Sequence, residues 1–197
     1  MTWFSVDVES DGQYPGWGEP PLAKGQWGYS MIAIGAVVVK EPEIGFIGYL
    51  KPISDQWEPD ALSVSGFTRE ETLQFPDPMT TMSAFAAWVE KNTEPGTRPI
   101  FVADNNGYDF AFTNWYFHQF TGSNPFGFSS KNINNLYQGL INDCFASFKK
   151  LRKTAHDHNP MNDARGNAEA LLAMKAGVPR SPKDPKTPGI VSLNVKF

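Results

Sequence analysis

The sequence predicts a single α/β domain in which a mixed β-sheet is flanked by α-helices. Three β-favouring segments follow one another within the first 53 residues, and helical patterns then alternate with one further short apolar strand. A chain of 197 residues is long enough to bury a substantial core. We find no internal repeat and no linker, and we expect one domain over residues 1–178 and a Pro-rich tail over residues 179–197.

The first predicted strand, residues 3–10, carries two carboxylates, Asp7 and Glu9. Alternate residues of a strand point to the same face, so these two side chains project together. Adjacent carboxylates repel each other and are costly to remove from water, and a cation between them removes both problems. Taken alone, the stretch also fits an edge strand with two solvated acids.

Two more strands are expected to complete an antiparallel meander, over residues 29–40 and 45–53. The near-continuous apolar run of the second strand is typical of a strand buried on both faces. Residues 11–28, rich in Gly and Pro, are expected to form a long surface loop between the first two strands.

The remaining chain is predicted to hold helices and a fourth strand. A stretch of turns after residue 53 includes a capping box, in which Thr68 is the N-cap and Glu71 its partner. Pro99–Ala103 is the short strand, and residues 122–130 are loop. Helical patterns are assigned to four segments, namely residues 78–92, 108–120, 132–150 and 163–177. Residues 189–197 are expected to add an edge strand or a partner contact.

Composition limits the cellular environments and the classes of binding partner that fit the protein. The formal charge of −4 argues against a protein that coats nucleic acid nonspecifically, because such binding depends on Lys and Arg. The single cysteine, Cys144, fits a reducing, cytoplasmic setting, and we expect it to be a small core residue. No apolar run is long enough to cross a bilayer, and no signal peptide is recognised.

Two later segments place ionisable residues where helices begin. Asp109 follows the strand that ends at Ala103, and Asn105 stands four residues before it. His158 stands five residues before Asp163, which opens the last helix. A single Asp at a helix N-terminus is ordinarily a cap. The joint order of strand Asp-x-Glu, helix-start Asp and His-x4-Asp indicates a shared site.

This order of motifs resembles the DEDDh family of 3′-to-5′ exonucleases, which includes RNase T, oligoribonuclease and proofreading subunits and has an RNase H-like fold. The resemblance covers about residues 2–176. It implies that four carboxylates hold two Mg²⁺ or Mn²⁺ ions, and that His158 is the general base that deprotonates the attacking water. The four implied ligands are Asp7, Glu9, Asp109 and Asp163.

Three residues depart from the family pattern. Asp104 stands where His is frequent, Ser10 where Thr is frequent, and Pro160 where Ala is usual. None of these changes removes an implied metal ligand or the implied base. Pro160 could alter the loop that carries His158. His156 is the alternative base, although its distance from Asp163 in the sequence does not match the family motif.

The resemblance also implies a substrate and a set of substrate contacts. Single-stranded RNA or DNA 3′ ends are the expected partner, and a homodimer is expected because several family members form one. Ser10, Asn105 and Phe67 are the implied substrate-binding residues. Trp17 and Trp27 are further candidates for base stacking, although burial is the commoner role of a tryptophan.

The sequence therefore predicts a metal-dependent 3′-to-5′ exonuclease that releases nucleoside 5′-monophosphates, with RNA favoured. A deoxyribonuclease of proofreading or repair type is the alternative, because no residue can be assigned to contact a 2′-hydroxyl. A non-catalytic nucleic-acid or protein-binding module on the same fold is the second alternative. It is disfavoured because no motif carboxylate is lost, nor the histidine.

Overall fold

The computed structural model describes residues 1–16, 28–182 and 189–197. Within these ranges the strands are β1 Thr2–Ser10, β2 Met31–Val38, β3 Glu41–Tyr49, β4 Pro99–Ala103, β5 Ser130–Asn132, β6 Val178–Pro179 and β7 Ile190–Val191. The α-helices are α1 Pro59–Val64, α2 Arg69–Thr72, α3 Pro78–Asn92, α4 Asn106–Phe120, α5 Ile133–Ile141 and α6 Pro160–Ala176. A 3₁₀ turn covers Phe148–Leu151.

Five strands form a mixed sheet in the order β3-β2-β1-β4-β5. β1 pairs antiparallel with β2, which pairs antiparallel with β3, whereas β4 runs parallel to β1 and to β5. The predicted mixed sheet with flanking helices is confirmed. β1 lies at the centre of this sheet, so the alternative of an edge strand with two solvated acids is wrong.

The alternation of residues along β1 divides the core into two layers. Phe4, Val6 and Val8 are buried in one hydrophobic cluster with residues of α3 and α4. Trp3 is buried in a second cluster with residues of α5 and α6. Because alternate residues share a face, Asp7 and Glu9 lie on the face that α6 covers.

A glycine in β2 allows α6 to approach the sheet next to the acids. β2 is buried at every position, as its apolar run predicts, and Gly35 is paired with Asp7 in the antiparallel register. A Cβ atom on Gly35 would lie 2.2 Å from the backbone nitrogen of Met161. The first turn of α6 therefore rests directly on the backbone of β2, and this contact brings Asp163 toward Asp7.

The chain between β4 and α6 differs most from the prediction. The single helix expected over residues 132–150 is a shorter α5 followed by the 3₁₀ turn, because Asn142 adopts a left-handed conformation (φ 59°) that ends the helix. β5 was not predicted, since Ser130 was expected in a loop and Asn132 at the start of the helix, and Cys144 is exposed rather than part of the core. α6 begins at Pro160, three residues before the predicted start, since proline suits the first helical position.

Smaller differences occur in the first half of the chain. α1 lies in a stretch that was predicted as turns, and the predicted capping box at Thr68 and Glu71 is present at the start of α2. β3 begins four residues earlier than predicted and ends before Ile53. Trp17 and Trp27, the stacking candidates, lie outside the described residues.

The C-terminal segment packs on the domain. β7 pairs with β6 in a separate two-stranded sheet, and Leu193 donates a backbone hydrogen bond of 3.0 Å to Met174 of α6. Every second residue from Val191 to Phe197 is half-buried against the second cluster. Within the described ranges, no helix combines the length and apolar character that a membrane span requires. The cytoplasmic setting and the homodimer stay predictions.

Candidate active site

The predicted acids converge on one cleft at the end of β1 and β4. Carboxylate oxygens of Asp7, Glu9 and Asp163 all lie within 4.8 Å of one another. Asp109, in the first turn of α4, lines the same cavity of about 280 Å³. The residues that line this cavity are Asp7, Val8, Glu9, Asp104, Asn105, Tyr108, Asp109, Lys149, Arg152, His156 and His158.

Local structure fixes the two acids that come from helices. Asp109 Oδ1 accepts a hydrogen bond of 3.2 Å from the backbone N–H of Val8, which ties the start of α4 to β1. Asp163 lies in the first turn of α6, whose N-cap Asn159 accepts from the backbone N–H groups of Met161 and Asn162. The direct contact of this turn with β2 then fixes how closely Asp163 approaches the acids of β1.

Burial and mutual repulsion raise the pKa of three acids of the cavity, Asp7, Glu9 and Asp109. Burial raises the pKa of Glu9 to about 8, with a further contribution from the charge of Asp163. Burial, followed by the charges of Asp109, Glu9 and Asp163, raises the pKa of Asp7 well above its ordinary value. The pKa of Asp109 is also raised, chiefly by burial, although the N–H of Val8 opposes the shift.

The donor set fits hard divalent cations. Asp109 Oδ2 and Asp163 Oδ2 are buried and have no hydrogen-bond donor among the described residues. Carboxylate oxygens without a thiolate suit Mg²⁺ or Mn²⁺ better than Zn²⁺. A cation held by the clustered oxygens of Asp7, Glu9 and Asp163 would favour the ionised acids and offset their repulsion.

The predicted base His158 and the alternative base His156 both line the cavity. His156 Nδ1 lies 2.6 Å from Asp163 Oδ1, and the ring centroids of His156 and His158 are 4.4 Å apart. His158 is exposed and has a left-handed backbone (φ 60°) two residues before the start of α6. The structure thus places the predicted base beside the acids, while His156 makes the direct contact with Asp163. The role of His158 as base stays a prediction.

Comparison with known proteins agrees with this geometry. The nuclease domain of 3′hExo, described as a DEDDh family member and bound to rAMP, superposes with a TM-score of 0.64 over 88% of this chain and 90% of that one, at 16% identity. The 3′-5′ DNA exonuclease Cap18 of Escherichia coli is 35% identical over 178 residues, which cover 85% of this chain and 88% of that protein. The chain belongs to the DEDDh family of 3′-to-5′ exonucleases.

Two further comparisons complete the assignment. The Mg²⁺- and Mn²⁺-bound form of S. pombe Pop2p superposes with a TM-score of 0.58 at 13% identity, over 88% of this chain and 82% of that one. No protein-family model matches the chain. The predicted enzyme class and RNase H-like fold are confirmed for this DEDDh exonuclease.

The three predicted substrate contacts occupy different places in the DEDDh exonuclease. Asn105 is exposed at the cavity rim. Ser10 is buried, and its hydroxyl is engaged by the carbonyl of Gly12 and by the hydroxyl of Tyr108, the latter at 2.5 Å. Phe67 is half-buried outside the cavity lining. Contact of these residues with substrate stays a prediction.

The segment that carries Phe67 is tied to the end of β1. Arg69 donates a hydrogen bond of 2.9 Å to the carboxylate of Asp11, which also accepts from the backbone N–H of Ser30 at 2.6 Å. Phe67 packs edge-on against Tyr49 at 5.6 Å between ring centroids. The buried ion pair therefore fixes the position of Phe67 relative to the acids.

Two basic residues of the cavity were not singled out from the sequence. Lys149 lies 3.6 Å from Asp104 Oδ2, and Arg152 lies 3.6 Å from Asp163 Oδ1. One signal was available, since four of the 17 basic residues fall within residues 149–153, just before the His156-x-His158 sequence. Lys149 and Arg152 of this cluster line the cavity because residues 148–151 form a turn, and local sequence patterns do not predict this turn.

Proposed function

We propose that the chain hydrolyses single-stranded DNA from its 3′ end and releases nucleoside 5′-monophosphates, with two divalent cations held by its four carboxylates. The observation that carries this proposal is the convergence of the buried acids. Oxygens of Asp7, Glu9 and Asp163 lie within 4.8 Å of one another, and Asp109 faces the same cavity. Such a cluster is unfavourable by itself, because the acids repel one another, and bound cations would offset this repulsion.

The cations would neutralise charge on the phosphoryl oxygens and stabilise both the attacking and the leaving oxygen of an in-line displacement. The carboxylates of β1 hold their positions because they project from the central strand of the sheet. The N–H of Val8 holds Asp109 through Oδ1, which leaves Oδ2 free of protein donors among the described residues.

His158 is proposed to accept the proton of the attacking water. Its imidazole is exposed at the cavity, where substrate and solvent reach it, and imidazole is the side chain that most often acts as a general base. The left-handed backbone at His158 lies in the irregular segment between the 3₁₀ turn and α6. Such a segment permits the small rearrangement that brings a base onto bound substrate.

DNA is proposed as the substrate because a relative at 35% identity is named a DNA exonuclease. RNA, favoured by the sequence interpretation, is the second candidate, and the 3′hExo nuclease domain bound to rAMP supports it. The two sugars differ only by the 2′-hydroxyl, so discrimination must occur at the last nucleotides held in the cleft.

A chimeric substrate series tests this choice. We would follow single-turnover hydrolysis of 5′-labelled DNA, matched RNA, and DNA with one ribonucleotide at the terminal or the penultimate position, all with Mn²⁺. We expect DNA to be degraded at least about tenfold faster than RNA, which corresponds to about 1.4 kcal/mol of discrimination. Faster hydrolysis of RNA would contradict the choice of DNA while leaving the exonuclease assignment intact.

A further inference from the structure

Arg152 occupies a position built to hold a guanidinium beside the acids. Its side chain is only 6% exposed, and one terminal nitrogen donates to Asn167 Oδ1. Gly166 leaves room for the side chain, because a Cβ there would lie 3.2 Å from Cδ of Arg152. The guanidinium carbon lies 5.6 Å from the ring centroid of Phe148. Three neighbours thus hold the stem and one edge of this cation.

The rest of the guanidinium has no hydrogen-bond acceptor among the described residues. Nε and Nη1 of Arg152 are both buried and unpaired in this sense, although Nη1 lies 3.6 Å from Asp163 Oδ1. A buried donor without an acceptor is unfavourable. Arg152 also lines the cavity that holds the acids. A cavity-lining guanidinium with donors that no described residue accepts indicates a ligand with acceptor oxygens.

Charge balance identifies the class of that ligand. Four carboxylates are neutralised by two divalent cations, so a bound phosphodiester adds one uncompensated negative charge, and the pentacovalent transition state adds more. Arg152 is the cavity-lining cation with a buried side chain, whereas Lys149 is 58% exposed on its side chain and is paired with Asp104. A guanidinium is always charged, and each of its N–H groups can donate a charge-assisted hydrogen bond to a phosphate oxygen.

We infer that Arg152 is a further catalytic residue, which donates a free N–H group to a non-bridging oxygen of the scissile phosphodiester. The inference rests on the proposed function. Asn167 and Gly166 act as positioning residues, because they orient the guanidinium without reaching the substrate themselves.

The test compares Arg152→Lys and Arg152→Ala with the unmodified protein in single-turnover hydrolysis of DNA with Mg²⁺. We expect Arg152→Ala to lower kcat by about 10²- to 10³-fold, the usual effect of removing one transition-state donor, and KM to change less than about threefold. Arg152→Lys keeps the positive charge but not the guanidinium, so its kcat should lie between those of Arg152→Ala and the unmodified protein. Lys150→Ala is the charge-matched control, since Lys150 is exposed and does not line the cavity, and it should leave kcat unchanged.

Two readouts separate catalysis from a structural role. Two phosphorothioate diastereomers carry sulfur at one or the other non-bridging position of the last phosphodiester. The unmodified protein should hydrolyse one of them more slowly than the all-oxygen substrate because of its contact with Arg152. This slowing should be lost in Arg152→Ala. Thermal stabilisation by Mn²⁺ should be retained in both variants, because removal of a nearby cation does not weaken a cation site.

Three outcomes would overturn the inference. They are an unchanged kcat in Arg152→Ala, equal slowing of both diastereomers in variant and unmodified protein, or loss of Mn²⁺ stabilisation in Arg152→Lys. Hydrolysis of the all-oxygen DNA by the unmodified protein is measured in the same series. If that hydrolysis is absent, the proposed function fails; if it is present and one of these three outcomes occurs, the inference about Arg152 alone fails.

Discussion

At the scale of single residues, the site stores electrostatic repulsion that a cation would relieve. Glu9 is 9% exposed and Asp163 is fully buried, yet both are acids within 4.8 Å of each other. Removing such groups from water is costly, and proteins tolerate the cost at functional sites. The pKa of Glu9, raised to about 8, expresses this cost as a preference for the protonated form.

We predict that the chelated protein loses stability as pH rises. The folded pKa of Glu9, about 8, lies above its ordinary value of 4.5, so the folded state holds the proton more tightly than the unfolded state. The resulting stability is complete below pH 4.5 and is lost as pH rises toward 8. The melting temperature in EDTA should therefore fall by several degrees between about pH 5.5 and 8.

Glu9→Gln should reduce this pH dependence because it removes one of the titrating groups, while Asp7 and Asp109 remain. The matched control is Glu70→Gln, which removes one acid from an exposed position and should keep the slope of the parent. Saturating Mn²⁺ should stabilise the parent increasingly at higher pH, since a cation binds the ionised acids. Identical slopes for the parent and Glu9→Gln would show that Glu9 is not the source.

Substitution of His158 and substitution of His156 are expected to lower kcat to different extents. His158→Ala should lower kcat by about 10²- to 10⁴-fold, the range for loss of a general base, with Mn²⁺ stabilisation largely kept. His156→Ala should have the smaller effect on kcat, although its ring contacts Asp163. Single-turnover rates of the two variants decide the matter. A larger loss in His156→Ala would transfer the role of base to His156.

At the scale of elements, the site depends on how closely α6 approaches β2. The Cα partner of Asp7 is Gly35, and Pro160 and Met161 occupy the space where a side chain would stand. Asp163 is in the same helical turn as these residues. A displacement of this turn would move an acid relative to both acids of β1.

Gly35→Ala is predicted to disable the site through this displacement. The added methyl group would lie 2.2 Å from backbone atoms of Pro160 and Met161, which cannot be rotated away. We expect a loss of about 2–4 kcal/mol of unfolding free energy, by overpacking, and a much weaker response to Mn²⁺. Denaturant unfolding and Mn²⁺-dependent melting measure the two effects.

The control for this variant is Gly139→Ala in α5. Gly139 is helical with open space around its Cβ position, so alanine there should stabilise the protein by about 0.5–1 kcal/mol. Equal stability of Gly35→Ala and the parent would show that the approach of α6 is not constrained at this point.

The ordering of elements also explains what the sequence could and could not reveal. Asp7 and Glu9 were predictable because strand alternation is a local rule, and Asp109 and Asp163 because each sits at a recognisable helix start. β5 was missed because Ser-Lys-Asn has no apolar pattern, and it becomes a strand only by pairing with β4. Arg152 was missed because its burial depends on Gly166 and Asn167 of a different element.

At the scale of the whole molecule, the two ends of the described chain meet. Phe197 packs edge-on against Trp3 of β1 at 5.2 Å between ring centroids, and Lys175 of α6 lies 4.9 Å from the centroid of the Phe197 ring. The last residues thus pack against the second hydrophobic cluster. This arrangement links the segment after residue 189 to the strand that carries Asp7.

Phe197→Ala is predicted to destabilise the fold without changing the chemistry. Loss of a half-buried ring and its aromatic contact should lower the unfolding free energy by about 1–2 kcal/mol, a decrease of several degrees in melting temperature. The rate of DNA hydrolysis at 25 °C should remain within about twofold of the parent, since no acid is moved. A strong loss of activity at full folding would indicate that this segment reaches the substrate.

The most direct test of the central claim is a time course on 5′-labelled single-stranded DNA with the unmodified protein and with Asp109→Asn. We predict a ladder that shortens one nucleotide at a time from the 3′ end with Mn²⁺, is abolished by EDTA, and is slowed by at least about 10³-fold in Asp109→Asn. Asparagine keeps the shape of the side chain but removes the charge that a cation requires. Hydrolysis in EDTA, or an unchanged ladder from Asp109→Asn, would contradict the claim that these carboxylates hold the catalytic cations.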